Sequence, residues 1–450
     1  MRANLAAFAA IATLACNVMT SEAADNDVTS IRAEIKHLSE TYETRIAELE
    51  SRLEKIETTE GKTVSSEGGS ASSAAKNRRI FDNTFNPSIG VILNGRYSEF
   101  SSTGSEIAGF AVGEEGERGR EGLAIDESEI NFSASVDDKF YSSLTAAIVR
   151  EDGEDKIELE EAYAQTMPGF SLPNGFSAKA GRAFWTIGYL NEHHAHADDF
   201  ADRPLPYRVF LNKSFNDDGV EFSYILPTDL FAEVGGGLFR GDDFPLGNAD
   251  GEIFRQWSSY ARVGGDIGYD QSWRVGGYVL SGEANGGRTS NESTVTFSGD
   301  TQIYVTDLRY TWAPGGNSRQ KEVIFQGEYF WRNESGTYED TNSATGTVNF
   351  DDASSGWYAQ AVYKLNPRWR LGARYSRLEA PNAPVGLVGS ALDSSGHEPV
   401  AYASMVDWTN SEFSRLRFQF NHEKLSTGQN DNQFIAQYVM SFGAHGAHKY

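Results

Sequence analysis

Short segments that alternate polar and apolar residues fill the chain after residue 80. Successive side chains of a strand point to opposite faces, so each segment would carry one apolar face and one polar face. Segment 368–378 carries Trp369, Leu371, Ala373 and Tyr375 on one face and Arg368, Arg370 and Arg374 on the other. An apolar face with Trp and Tyr, opposite an arginine-rich face, indicates a wall between lipid and water. The alternative is a soluble sandwich with one wet face.

Sixteen such segments can be counted, joined by connectors that are by turns short and long. We place the strands at 88–98, 123–136, 139–149, 156–166, 175–185, 219–227, 230–239, 257–267, 272–282, 301–312, 321–333, 356–365, 368–378, 402–411, 413–422 and 433–442. The long connectors are 99–122, 186–218, 240–256, 283–300, 334–355 and 379–401. Short periplasmic turns, long external loops and an even strand number are typical of outer-membrane barrels. The sequence therefore predicts an all-β fold over residues 80–450, an antiparallel transmembrane β-barrel of about 16 strands around an aqueous channel.

Three further segments precede the predicted barrel. Residues 1–23 have the charged, apolar and small-residue parts of a secretory signal, and the single cysteine lies among them. Residues 24–58 are predicted to form a short α-helical coiled coil in the periplasm, and residues 59–79, rich in Ser, Gly and Ala, a flexible linker. The heptad seam consists of Val28, Ile31, Ile35, Leu38, Tyr42, Ile46, Leu49, Leu53 and Ile56. A helix packed on the barrel rim is the alternative to a coiled coil.

Composition narrows the class of protein without naming a solute. The chain has 450 residues and a formal charge of −25, and it lacks a run of eighteen apolar residues, which excludes a helical membrane protein. It also lacks a nucleophile elbow, a phosphate loop and a His-Glu-x-x-His motif, so we predict that it is not an enzyme. We expect no nucleic-acid partner and no resident cofactor other than a metal ion.

The predicted third external loop, 186–218, concentrates histidines and carboxylates. Residues 192–202 contain three of the eight histidines and four carboxylates. Imidazole and carboxylate together suit zinc and other divalent first-row metals. The candidate metal ligands are His193, His194, His196, Asp198 and Asp199. The alternative is a polar constriction that binds no metal, since no fixed ligand spacing marks a site.

A set of arginines is predicted to face the lumen opposite this acidic loop. The predicted pore-lining residues are Arg182, Arg309, Arg332, Arg368, Arg370, Arg374, Arg415 and Arg417, with Glu192 and Asp202 from the loop. Rings of charge that line a pore set which ions enter, and arginine clusters bind phosphate or carboxylate solutes. Alternatively, these arginines pair with inward carboxylates such as Glu129, Asp307, Glu322 and Glu328 and only keep the lumen wet.

Several short motifs resemble those of the phosphate-selective porins of the O and P type. They are Glu158-Leu159-Glu160-Glu161-Ala162-Tyr163, Ala180-Gly181-Arg182, Ile187-Gly188 and Asp217-Asp218-Gly219-Val220-Glu221-Phe222. The resemblance implies a sixteen-stranded, usually trimeric channel whose third loop folds inward as a constriction. This chain departs from the family in its coiled coil and in its acidic, histidine-rich third loop. The second departure places phosphate selectivity in doubt.

Three functions are compatible with the sequence. The first is a homotrimeric porin in the outer membrane of a Gram-negative bacterium, in contact with lipid and lipopolysaccharide, which passes small hydrophilic solutes or ions by passive diffusion. The second is a specific channel or receptor for a divalent metal such as zinc. The third is a structural protein that spaces the envelope through the coiled coil. The sign of ion selectivity stays open, since the net charge favours cations and the arginines favour anions.

Overall fold

The computed structural model describes residues 87–151, 154–247, 253–290, 294–342 and 345–443. The predicted signal, coiled coil and linker lie outside these ranges and stay predictions. Among the described residues, no helix has both the length and the apolar character needed to cross a membrane.

Strands dominate the described residues. They are β1 (Ser88–Phe100), β2 (Gly122–Ile125), β3 (Ser128–Ser135), β4 (Phe140–Glu151), β5 (Glu154–Thr166), β6 (Phe176–Phe184), β7 (Asn216–Ile225), β8 (Phe231–Phe239), β9 (Gln256–Ile267), β10 (Gln271–Ser290), β11 (Val295–Trp312), β12 (Glu322–Asp340), β13 (Val348–Asn366), β14 (Trp369–Glu379), β15 (Val400–Ser411), β16 (Ser414–Ser426) and β17 (Gln429–Gly443). One α-helix, α1 (Leu205–Phe210), lies in the long connector between β6 and β7.

The strands form one antiparallel sheet that closes on itself through the pairing of β1 with β17. Both β2 and β3 pair with β1, at Gly95–Ser98 and Ser88–Ile92 respectively, so they share one position in the wall. The predicted barrel of about 16 strands is therefore confirmed, with one extra strand where segment 123–136 is interrupted. The interruption falls at Asp126 and Glu127, whose carboxylates pair with Arg96 and Lys213 inside the barrel.

Strands β10 to β13 extend furthest beyond the strands that the sequence predicted. Strands β10 to β13 contain 20, 18, 19 and 19 residues, so most of the predicted loops 283–300 and 334–355 is strand. An apolar cluster covers the extension, in which the rings of Phe297 and Tyr338 lie 4.8 Å apart and pack near Leu246 and Leu387. The many Ser, Gly, Asp and Glu residues in these stretches favour loops, and long-range packing overrides that preference.

The two faces of the wall differ as the alternation predicted. Outward positions expose large apolar side chains, among them Tyr329, Trp331, Tyr363, Trp369, Phe418, Phe434 and Tyr438. Inward positions bury polar and charged side chains, among them Gln326, Glu328, Gln360, Arg374, Asp407 and Arg417. This is the arrangement of a wall with lipid outside and polar groups inside.

Two loops fold into the barrel and fill part of the lumen. Loop 101–121 contributes Phe110, and loop 185–215 contributes α1, whose six residues are all buried. The ring of Phe210 in α1 lies 6.0 Å from that of Phe110 and 5.9 Å from that of Phe330 on β12. The inward third loop agrees with what the family resemblance implied. This loop also forms an apolar core inside the barrel. The core was not predicted, because the alternating polar and apolar residues of the strands suggested that the whole lumen is filled with water.

Candidate functional site

Loop 185–215 begins with a turn that one carboxylate of the wall holds in place. Glu328 on β12 accepts hydrogen bonds from the backbone N–H groups of Tyr189 (3.0 Å) and Leu190 (3.2 Å) and from the hydroxyl of Tyr207 (2.9 Å). Gly188 has φ of 74°, and a Cβ atom there would lie 2.2 Å from Oε2 of Glu328. Only glycine therefore allows this close approach at the start of the loop.

Arginines of β14 and β16 hold the middle of the loop. Arg370 Nη1 lies 2.8 Å from Oδ1 of Asp199, and Arg374 Nη2 lies 2.7 Å from Oδ1 of Asp202. Arg417 Nη2 donates to the carbonyl oxygen of Asp198 at 2.9 Å. Since each guanidinium group is engaged by the loop, these arginines fix its position across the lumen.

The other predicted pore-lining side chains that face inward are engaged as well. Arg309 donates to Gln326 and lies over the ring of Tyr189, whereas Arg332 is buried between Glu334 and the ring of Phe210. The remaining contacts join Arg415 to the carbonyl oxygen of His196, and Glu192 to Arg262 and Arg274. The inward arginines are thus engaged by protein groups, but these are loop residues, Asp407, Glu334 and Gln326, and not the carboxylates Glu129, Asp307, Glu322 and Glu328 that the sequence suggested as partners.

Two predicted pore-lining arginines do not face the lumen. Arg182 lies beside Ala162 of β5 and Asp218 of β7 in the strand register. Glu161 and Glu221 face inward, and Ala162 and Asp218 have the opposite strand phase. Arg182 therefore lies on the outer face of the wall. Its guanidinium group forms an ion pair with Asp218 there. Arg368 is exposed in the tight turn before β14, where no strand phase applies. The prediction of a lumenal position was wrong for both residues.

Two of the five predicted metal ligands come together with carboxylates of the wall. Nδ1 of His194 lies 3.2 Å from Oε2 of Glu129 and 3.4 Å from Oε2 of Glu160, and its Nε2 lies 3.0 Å from Oε2 of Glu161. Nδ1 of His196 lies 2.7 Å from Oε1 of Glu129. Burial alone would lower the pKa of His194, but the surrounding carboxylates raise it well above its ordinary value of 6.5.

A β-bulge in β5 supplies two of these carboxylates. Thr145 pairs with Glu161 and the next residue, Ala146, pairs with Leu159, so Glu160 is an extra residue in β5. A bulge re-aims side chains, and here both Glu160 and Glu161 reach His194. The motif Glu158–Glu161 therefore does not alternate strictly between the two faces, as a regular strand would.

The other three predicted ligands lie elsewhere. Nδ1 of His193 lies 2.9 Å from the carbonyl oxygen of Tyr189, the two rings stack, and burial lowers the pKa of His193. Asp198 pairs with Arg203 at 2.6 Å, and Asp199 with Arg370. The structure thus does not gather the five side chains into one site.

The acidic side chains that hold the loop should make the protein sensitive to strong acid. Burial alone would raise the pKa of Asp199 and of Asp202, but Arg370 and Arg374 outweigh it and hold both below the ordinary 3.8. A depressed carboxyl pKa contributes stability above the unfolded pKa, and this contribution is lost as pH falls through the folded pKa. We expect the free energy of unfolding to fall below pH 3.8 and Asp202→Asn to flatten that decline, as measured by urea unfolding at stepped pH. An unchanged acid slope in this variant, matching that of an exposed-site control Asp266→Asn, would contradict the expectation.

A cavity of about 170 Å³ lies between the two inward loops and the inner face of β1, β16 and β17. Both acidic and basic side chains line it, and each basic side chain has an acidic partner. The pairs are Arg96 with Asp126, Arg118 with Asp431, Arg203 with Asp198, Arg208 with Glu423, and Lys213 with Glu127. This cavity is the candidate passage beside loop 185–215.

Sequence reasoning missed Asp407 and the contact of Glu129 and Glu160 with the loop histidines, and a signal existed for Asp407 alone. Asp407 accepts from both Arg370 and Arg417, and it occupies a polar position between Val406 and Trp408 in an otherwise apolar stretch. Its inward phase could therefore have been read from the alternation. The contact of Glu129 and Glu160 with the loop histidines depends on the strand register and the bulge, which carry no local signal.

Comparisons with known proteins were made by sequence and by fold. No protein-family model matches the chain. An uncharacterized protein of Aquifex aeolicus (strain VF5) is 28% identical over 347 residues, which cover 74% of this chain and 71% of the relative. An anion-selective porin from Comamonas acidovorans aligns with a TM-score of 0.47 and 10% identity over 79% of this chain and 99% of the porin. The outer membrane channel DcaP of Acinetobacter baumannii aligns with a TM-score of 0.50 and 11% identity over 79% of this chain and 97% of the channel. The similarity to DcaP shows a shared barrel fold.

Proposed function

We propose that this chain is a porin of the outer membrane of a Gram-negative bacterium, which passes small hydrophilic solutes or ions by passive diffusion. One observation carries the proposal: a closed wall with apolar, aromatic side chains outside and charged side chains inside surrounds a loop tethered across the lumen. A tethered loop leaves a defined passage beside it, and the width and lining of such a passage decide what diffuses through.

The passage proposed here is the cavity beside β1, β16 and β17. The pairing of its basic side chains with carboxylates leaves no strong field of one sign, so solutes would be sorted by size more than by charge. Arg370, Arg374 and Arg417 are each paired with an aspartate, which argues against a row of free arginines that would select phosphate. Dispersal of the five predicted ligands argues against a metal-specific receptor.

We further propose that three copies assemble side by side, as in the family that the sequence resembles. The outer face of β5 and β6 presents small side chains, in contrast to the aromatic outer face of β12 to β14. The ion pair of Arg182 with Asp218 lies on this face and is 34% and 45% exposed, an arrangement that contact with lipid would disfavour. The small side chains are Ala162, Ala164, Ala178 and Ala180.

Conductance in planar bilayers tests the proposed channel. We expect ohmic currents that appear and close in three equal steps, and a clear fall in conductance for Ala201→Trp, because Ala201 lines the cavity. The matched control is Ala436→Trp, which adds the same bulk on the outer face beside Phe418 and should leave the current unchanged.

Three results would count against these proposals. Absence of current from folded protein would overturn the porin, and an equal fall for both tryptophan variants would remove the assignment of the passage. Single, unsubdivided closures would contradict the assembly of three copies and leave the channel itself standing.

A further inference from the structure

We infer that Glu129, Glu160, His194 and His196 bind a divalent first-row transition cation of the zinc type. One ligand atom each from Glu129, His194 and His196 lies within 4.8 Å of the others. Glu160 adds a fourth ligand from the bulge in β5, at 3.4 Å from Nδ1 of His194. Two imidazoles and two carboxylates form a donor set that zinc accepts in four-coordinate sites.

The spacing of the donor atoms fits a small cation. Oε2 of Glu129, Oε2 of Glu160 and Nδ1 of His194 are buried and lie against one another, and none of the three forms a hydrogen bond of good geometry within the described part of the chain. Their separations from Nδ1 of His194 are 3.2 and 3.4 Å. A tetrahedral ion with ligands at about 2.1 Å requires about 3.4 Å between neighbouring ligand atoms. The two separations from Nδ1 of His194 therefore match two edges of such a tetrahedron.

The group behind His194 is the one that a metal-bound histidine requires. Nε2 of His194 faces Oε2 of Glu161 at 3.0 Å, while Nδ1 points toward Glu129 and Glu160. A histidine that binds a metal through one ring nitrogen commonly donates the other N–H to a carboxylate, which fixes the tautomer and the ring orientation. The bulge thus provides Glu160 as a ligand and Glu161 as the orienting partner.

Charge balance favours a divalent occupant. Four carboxylates, those of Glu127, Glu129, Glu160 and Glu161, are close together here. Lys213 pairs with Glu127, and a single imidazole, that of His194, contacts the other three. Buried charge without compensation is strongly destabilising. A divalent cation compensates two carboxylates and leaves both histidines neutral, as metal ligation requires.

The consequence of this site is mechanical and does not depend on what the channel carries. Glu129 belongs to β3, Glu160 to β5, and both histidines belong to loop 185–215. A bound cation would fasten the loop to β3 and β5, in addition to the arginines of β14 and β16 that hold it elsewhere.

Direct metal binding tests the site in the full-length protein folded in detergent and stripped with a chelator. We expect calorimetric titration to show one Zn²⁺ per chain, and Co²⁺ to give the visible absorption of a tetrahedral complex. Glu129→Gln and His196→Gln should abolish this binding, and Glu161→Gln should weaken it about 10–100-fold, the usual effect of losing an orienting partner. His193→Gln is the matched control, because His193 contacts Tyr189 and lies outside the site.

Folding, metal binding and conductance are measured separately, so that a loss of metal binding can be distinguished from a failure to fold. Resistance of the barrel to SDS without heating shows that each variant is folded, and Glu160→Gln provides a second ligand variant if Glu129→Gln fails to fold. Binding by folded Glu160→Gln or His196→Gln equal to that of the unmutated protein would overturn the site, as would an equal loss in His193→Gln. Absence of Zn²⁺ uptake by a chain that still conducts would overturn this inference alone and leave the porin proposal intact.

Discussion

Replacement of Asp407 by alanine should destabilise the barrel by about 3–5 kcal/mol, the usual cost of removing one partner of a buried ion pair. The side chains of Asp407 and Arg417 are both 0% exposed and lie 2.8 Å apart. Asp407 also accepts from Arg370 at 2.5 Å, so one substitution leaves Arg417 without its carboxylate and leaves Arg370 with Asp199 alone. Both arginines contact loop 185–215, and we therefore expect the loop to loosen together with the wall.

Urea unfolding in lipid vesicles measures this effect. The control is Asp266→Ala, which removes an exposed carboxylate from β9 and should change the free energy of unfolding by less than about 0.5 kcal/mol. Asp407→Asn keeps hydrogen-bond acceptance without the charge and should fall between the two. Equal stability of Asp407→Ala and Asp266→Ala would show that solvent compensates the guanidinium groups in the lumen.

The wall of the barrel was predictable because its signal is local and repeated. Alternation in β14, for example, places Trp369 and Leu371 outside and Arg370 and Arg374 inside without reference to any other strand. Strand ends were less predictable, since the extensions of β10 to β13 depend on contacts such as that of Phe297 with Tyr338. The side on which Arg182 lies could not be predicted from its position in the sequence, because its outward orientation becomes clear only from its pairing with Asp218.

The contacts of the loop were harder to predict than its location. The density of histidine and carboxylate marked loop 186–218, and the loop does lie inside the barrel. The partners of the loop side chains depend on the closure of the barrel. Closure brings Glu129 of β3 and Glu160 of β5 to His194, and Arg370 of β14 to Asp199. Neighbours in sequence therefore face different walls. The run Leu205–Phe210 was an available sign of an apolar plug, since such residues are rarely left in a solvated loop.

Replacement of Phe210 by alanine should release the two inward loops while the wall survives. Phe210 is fully buried, and its ring contacts Phe110 of loop 101–121 and Phe330 of β12. Truncation of a buried phenylalanine typically costs about 3–5 kcal/mol, because apolar contact is lost and a cavity remains. The strand hydrogen bonds do not involve this side chain, so the cost falls on the packing of the loops. We expect faster proteolysis of loop 185–215 and larger, noisier currents, with resistance to SDS retained.

The matched control is Phe418→Ala, which removes the same side chain from the outer face, where it stacks on Phe434 at 6.3 Å. It should leave proteolysis and current unchanged, because no inward loop touches that ring. If Phe210→Ala unfolded the wall as well, the loops and the barrel would form one cooperative unit, and the apolar core would be needed for the fold itself. If neither variant changed the current, the core would lie away from the path of the ions, and the position of the passage would then depend only on the polar contacts of the loop.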